Sequence, residues 1–110
     1  AIARITGLIS GRGSNLAALL TAERAGTLSG SVTAVISNRS DAAGLQAATC
    51  HGVATTVIDH RRFSGDAFDA ALATAVDSSE PDLFVLAGFM RILGAAFVQR
   101  YEGRMLNIHP

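Results

Sequence analysis

The chain has 110 residues, 49% of them hydrophobic, and a mean hydropathy of +0.35, which is room and apolar content for one small domain. Nine basic residues balance nine acidic ones, and the neutral charge with a pI near 7.1 argues against a nucleic-acid partner or an anionic membrane surface. There is no lysine, which excludes a P-loop, and no apolar run of about 18 residues, which excludes a single-helix membrane span.

Arg4 to Ile9 is a short apolar run with β-branched residues and predicts a buried strand. Ser10-Gly11-Arg12-Gly13-Ser14-Asn15 follows as a glycine-rich turn, and Leu16, Leu19 and Leu20 then recur at helical spacing to about Ala25, where Gly26 stops the helix. Ser31 to Ser37 predicts a second strand. Asn38 to Asp41 predicts a loop able to cap a helix over 42–51, which Gly52 closes. The lone Cys50 allows no internal disulfide, fits a reducing, cytoplasmic setting, and is expected to be buried as a small hydrophobe. Ala54 to Ile58 predicts a third strand, followed by a polar loop through Ser64 in which His60, Arg61 and Arg62 are solvated.

A third helix is expected over 66–78, with Phe68, Leu72, Ala75 and Val76 on one stripe and Asp66, Asp69 and Asp77 exposed. Pro81 breaks it. Asp82 to Ala87 predicts the fourth and most apolar strand, 92–101 a short helix, and Met105 to Pro110 a last strand. Alternating strands and helices with short connections predict an α/β, doubly wound, Rossmann-like parallel sheet of order 3-2-1-4-5 with helices on both faces. Ligands of such sheets bind beyond the strand C-terminal ends where the order reverses, here between strands one and four. The turn at 10–15, the stretch 88–91 and the end of the last strand converge there.

Each of these stretches has a chemistry and a plainer alternative. The backbone N–H groups of Gly11, Gly13, Ser14 and Asn15, at a helix start, favour an anion such as a phosphate; the alternative is a capped glycine turn. A dinucleotide fingerprint would need glycine where Leu16 stands and an acid after strand two, where Ser37-Asn38-Arg39 stands. Arg39 could hold a 2′-phosphate, so an NADP-binding oxidoreductase remains an alternative. Phe89 to Leu93 could line a slot for a flat ring, or pack as a lead-in to the next helix. Asn107 and His109, two apart on a strand, share a face and could stabilise a developing oxyanion; the alternative is a solvated strand end. A charged His109 would need a carboxylate partner, and the last strand holds none. No His, Cys and carboxylate set has metal-ligand spacing.

Three stretches, Ser10 to Leu16, Ala87 to Leu93 and Leu106 to Pro110, together resemble the phosphoribosylglycinamide formyltransferase family, and the resemblance covers the whole chain. Asn-Ile-His-Pro alone also resembles other hydrolases and transferases that use formyltetrahydrofolate. The resemblance implies formyl transfer from 10-formyltetrahydrofolate to glycinamide ribonucleotide, in purine biosynthesis, with no metal. It assigns the phosphate to Gly13, Ser14 and Asn15, the folate to Met90, Arg91, Ile92 and Leu93, and catalysis to Asn107 and His109. Two departures stand out. The family's arginine before the third helix falls at Gly65, with Arg61 or Arg62 as substitutes, and the family continues past Pro110 with the aspartate that pairs with its histidine. Residues 1–110 are therefore expected to be a formyltransferase N-terminal domain truncated at its C-terminal end, weakly active or inactive alone, and an unpaired last strand would permit a homodimer.

Overall fold

The computed structural model describes residues 3–10, 14–26, 30–63, 66–87 and 94–108, with the backbone alone for residues 14, 15, 60, 96 and 106–108. Five strands and four helices alternate along them. They are β1 (Ala3–Ile9), α1 (Ser14–Ala25), β2 (Gly30–Ser37), α2 (Ala43–Cys50), β3 (Ala54–Val57), α3 (Asp66–Ser79), β4 (Leu83–Ala87), α4 (Ala95–Arg100) and β5 (Met105–Ile108). All pairings are parallel and the sheet order is β3-β2-β1-β4-β5, as the alternating pattern predicts.

The sheet separates two apolar layers. On one side Ile5, Ile9, Val32, Val35 and Val85 meet Leu16 and Leu20 of α1 and Ala48 of α2. On the other Leu8, Ile36 and Phe84 meet Phe68, Leu72 and Val76 of α3 and Phe97 of α4, with Tyr101 just beyond it. Val32 and Val35 are three apart yet share a face, which a strand of period two forbids. The ladder explains it: Ile5 pairs with Val32 and Thr6 with Ala34, so Thr33 is an extra residue and the parity of β2 changes there. The helical stripe 68, 72, 76 is buried as expected, while Ala75 is only half-buried.

Several local expectations are corrected. The first residue of α2 is Ala43; its N-cap is Ala42, and no side chain from Asn38 to Asp41 caps it. In the loop before it, Ser37 Oγ accepts from the Arg39 N–H at 3.0 Å, and the Arg39 guanidinium forks onto Asp41 at 3.0 and 2.9 Å. Cys50 is exposed rather than buried. The buried face of α2 is carried by Gly44 and Ala48, four apart, and Cys50 falls about 200° around the helix from Ala48. His51 Nδ1 lies 2.9 Å from the Ala47 carbonyl at the helix end, so Cys50 and His51 form no nucleophile pair. The polar loop after β3 contains a 3₁₀ turn, His60–Arg62, started by Asp59, whose carboxylate accepts from the Arg61 N–H at 2.9 Å.

The end of α3 is closed from across the sheet. Glu80 takes a left-handed backbone conformation (φ 49°), and Pro81 cannot continue the helix. The Arg4 guanidinium donates to the last carbonyls, those of Ser79 at 3.0 Å and Glu80 at 3.1 Å. Its main chain exchanges bonds with Asp82, N–H to carboxylate at 2.8 Å and carbonyl to N–H at 2.9 Å. Arg4→Ala should therefore cost about 0.5–1 kcal/mol, the lower part of the ordinary net range for a hydrogen bond, because these bonds are exposed. Thermal unfolding should show it as a fall of roughly 2–4 °C.

Candidate functional site

Parallel strands all end at one edge of the sheet, and β1 and β4, direct neighbours, send their continuations into opposite layers. At this edge the chain leaves β1 at Ile9, passes buried Ser10 and re-enters as α1 at Ser14. The first-turn N–H groups of α1, at Ser14 and Asn15, have no acceptor within their own helix. β4 ends at Ala87. In the β4–β5 ladder Leu86 pairs with Asn107 and Ala87 with Ile108, so the backbone of Asn107 lies at the C-terminal end of β5 on the same edge. Ser14, Asn15 and Asn107, proposed from sequence, are thus brought to one end of three adjacent strands. Gly11, Gly13, Met90, Arg91, Ile92, Leu93 and His109 lie outside the described residues.

The sequence reading passed over a group of buried hydroxyls and an amide at and behind this edge. Ser10, Ser37 and Asn38 are buried at the ends of β1 and β2, and the Asn38 N–H donates to the Ile9 carbonyl at 3.4 Å. Thr6, buried four residues before Ser10 within β1, has its hydroxyl 2.7 Å from that of Ser79. The signal for them was a polar triplet, Ser37-Asn38-Arg39, directly after an apolar strand. Arg39, the residue that kept a 2′-phosphate reading open, faces Asp41 in a bidentate pair that holds the Asp41 carboxyl below its ordinary range. Arg61 is likewise paired with Asp59. Arg62 lines a cleft of about 420 Å³ with Ser40, Val57, Ile58, Asp59 and Phe63, beyond the end of β3.

Two acids of α3 read as exposed prove to be tertiary ties. Asp69 is half-buried and accepts from the Gly94 N–H at 2.9 Å, at the start of α4. Asp77 accepts from the Tyr101 hydroxyl at 2.7 Å and pairs with Arg100 at the other end of the same helix. Tyr101 is fully buried, edge-on to Phe84 at 4.9 Å between ring centres, with the Arg104 guanidinium 5.4 Å from its ring. The Tyr101 hydroxyl, and then Arg100, hold the Asp77 carboxyl below its ordinary range; burial, and then Asp77, push the Tyr101 hydroxyl up.

With this geometry in view, the profile of the formyl transferase family matches residues 3–110. The chain belongs to the formyl transferase family. It is 51% identical over 104 residues to phosphoribosylglycinamide formyltransferase of Escherichia coli K12, a match that covers 94% of this chain and 49% of that protein. It is 45% identical over 109 residues to the human trifunctional purine biosynthetic protein adenosine-3, covering 98% of this chain and 11% of that one. The solved phosphoribosylglycinamide formyltransferase of Coxiella burnetii superposes with a TM-score of 0.95 at 47% identity, covering all of this chain and 52% of that one. The chain thus spans about half the length of these bacterial relatives.

The pairing of Asp77 has a pH signature. Its folded pKa lies below the unfolded value of about 3.9, so its stabilisation is complete well above that value. It is lost as pH falls through the folded pKa. Asp77→Asn should therefore lower the melting temperature most at pH 6–7, and the gap to wild type should close as the melts are repeated below about pH 4.

Proposed function

We propose that this chain is the N-terminal, substrate-gathering domain of a phosphoribosylglycinamide formyltransferase. The protein that carries it transfers the formyl group of 10-formyltetrahydrofolate to the amine of glycinamide ribonucleotide, in the purine biosynthesis of the cytoplasm. The observation that carries the reading is the sheet order. It sets the first turn of α1 and the end of β5 on one edge with β4 between them, which supports binding a phosphate and an oxyanion side by side.

The roles follow from the chemistry of each group. Gly11, Gly13, Ser14 and Asn15 present N–H groups to the ribonucleotide phosphate. Met90, Arg91, Ile92 and Leu93 hold the flat ring of the folate. The glycinamide nitrogen attacks the formyl carbon, a new C–N bond forms, and the bond from the formyl carbon to N10 of the folate breaks. The Asn107 amide donates to the formyl oxygen as it gains charge, and protonated His109 stabilises and protonates it. The proton lost by the amine ends on N10 of tetrahydrofolate, so the exchange balances without an acyl-enzyme. The dinucleotide alternative has less support, since Arg39 is already forked onto Asp41.

Titration of the ¹⁵N-labelled chain tests the reading. Glycinamide ribonucleotide should give saturable shifts at the amides of Gly11, Gly13, Ser14 and Asn15, and NADPH should give none. The reverse pattern transfers the chain to the dinucleotide-binding class. In the full-length protein, Asn107→Ala should lower kcat by about 10²–10³, the usual cost of one oxyanion donor.

A further inference from the structure

The cleft of about 420 Å³ beyond β3 has no part in the chemistry above. Its walls come from two connections, Ser40 after β2, and Val57, Ile58, Asp59, Arg62 and Phe63 at the end of β3 and in the 3₁₀ turn that follows. β3 is the outer strand, two places from β1 and on the side away from β4 and β5, so it ends about 10 Å along the edge from β1 at ordinary strand spacing. Two features mark the cleft. Among the described residues three large apolar side chains stand exposed, Val57, Phe63 and Val98, and two of the three line this one cavity. The second feature is charge. Arg39 is forked onto Asp41 and Arg61 onto Asp59, whereas Arg62, also exposed, has no carboxylate partner among the described residues. The cluster therefore keeps one positive charge and sets it on the cleft wall.

We infer that this cleft binds a small aromatic anion, one flat apolar ring carrying one phosphate or carboxylate, at a site separate from the one that gathers the formyl acceptor and donor. Val57, Ile58 and Phe63 take the ring, and the Arg62 guanidinium takes the anion, whose paired oxygens match its planar fork. The neighbouring arginines cannot do so, since each already has its fork filled by an aspartate. The same pairs offset the charges of Asp41 and Asp59, so neither carboxylate turns an anion away. Apolar walls with a single placed charge, at this volume, are the ordinary make-up of a small-molecule site. A nucleoside monophosphate and an aryl carboxylate share the required chemistry. The inference does not rest on the function proposed above.

The test is an amide titration of the ¹⁵N-labelled full-length protein with phenyl phosphate, benzoate, inorganic phosphate and benzyl alcohol. Phenyl phosphate, benzoate or both should give saturable shifts at Ser40, Val57, Ile58, Arg62 and Phe63, and the tighter of the two tells whether phosphate or carboxylate is the anion the cleft prefers. Inorganic phosphate and benzyl alcohol, which carry only one half of that chemistry each, should bind there at least about tenfold more weakly. Arg62→Gln should weaken the tighter probe about tenfold, the ordinary cost of one charge-assisted hydrogen bond, and Phe63→Ala about fivefold. Val98→Ala, exposed but outside the cleft, should change nothing. Saturating glycinamide ribonucleotide should leave the shifts in place. The absence of saturable shifts at these amides, full affinity in Arg62→Gln, or displacement of the probe by glycinamide ribonucleotide each overturns the separate site.

Discussion

The parallel pairing of β1 with a neighbour on each side, β2 and β4, constrains everything else in this molecule. Parallel strands cannot be joined by tight turns, so each connection crosses back over a face, and right-handed crossovers send the β1-to-β3 half to one face and the β3-to-β5 half to the other. The strand ends therefore share an edge, and at β1 and β4 the chain leaves that edge toward opposite layers. The gap between them is a consequence of topology. It needs no residue to be dedicated to opening it. What the described residues contribute at that edge is buried Ser10 after β1 and the start of α1 at Ser14.

The acids of this neutral chain serve mainly to place backbone. Asp41 engages Arg39, Asp59 starts the 3₁₀ turn, Asp82 ties the start of β1, and Asp69 and Asp77 hold the two ends of α4. Exposed ion pairs contribute little to stability one by one. Their effect here is geometric, since each fixes a helix end or a turn near the entrance or exit of a connection. Asp69, half-buried, holds Gly94, the residue that follows those proposed to hold the donor. The apolar layers keep the scaffold together, and these carboxylates decide where its loops begin.

Much of this was legible because the signals were local. The apolar runs of β1 and β4, the Leu16–Leu20 spacing, the Phe68–Leu72–Val76 stripe and the glycines after α1 and α2 all act within a few residues, where periodicity reads directly as burial. The errors share one cause. Asp77 is exposed as its helical position predicts and Asp69 half-buried, but the ties both make were not foreseen, because their partners, Gly94 and Tyr101, are more than twenty positions away. Cys50 looked like a core residue because cysteine usually is, yet its place on α2 depends on which face the sheet covers. The parity change at Thr33 leaves no mark in a run of β-branched residues.

By itself, then, the sequence determined the element order, the strand order that such an order implies, and the candidate residues, Gly11 to Asn15, Met90 to Leu93, Asn107 and His109. These follow from short-range patterns and from motifs whose residue types carry their chemistry. Only the tertiary structure decided the register that sets Asn107 beside Leu86, and that α3 rather than α4 itself supplies the tie at Gly94. Long-range hydrogen bonds are formed between groups whose spacing in the chain is arbitrary. They become visible only after the sheet has brought their helices side by side.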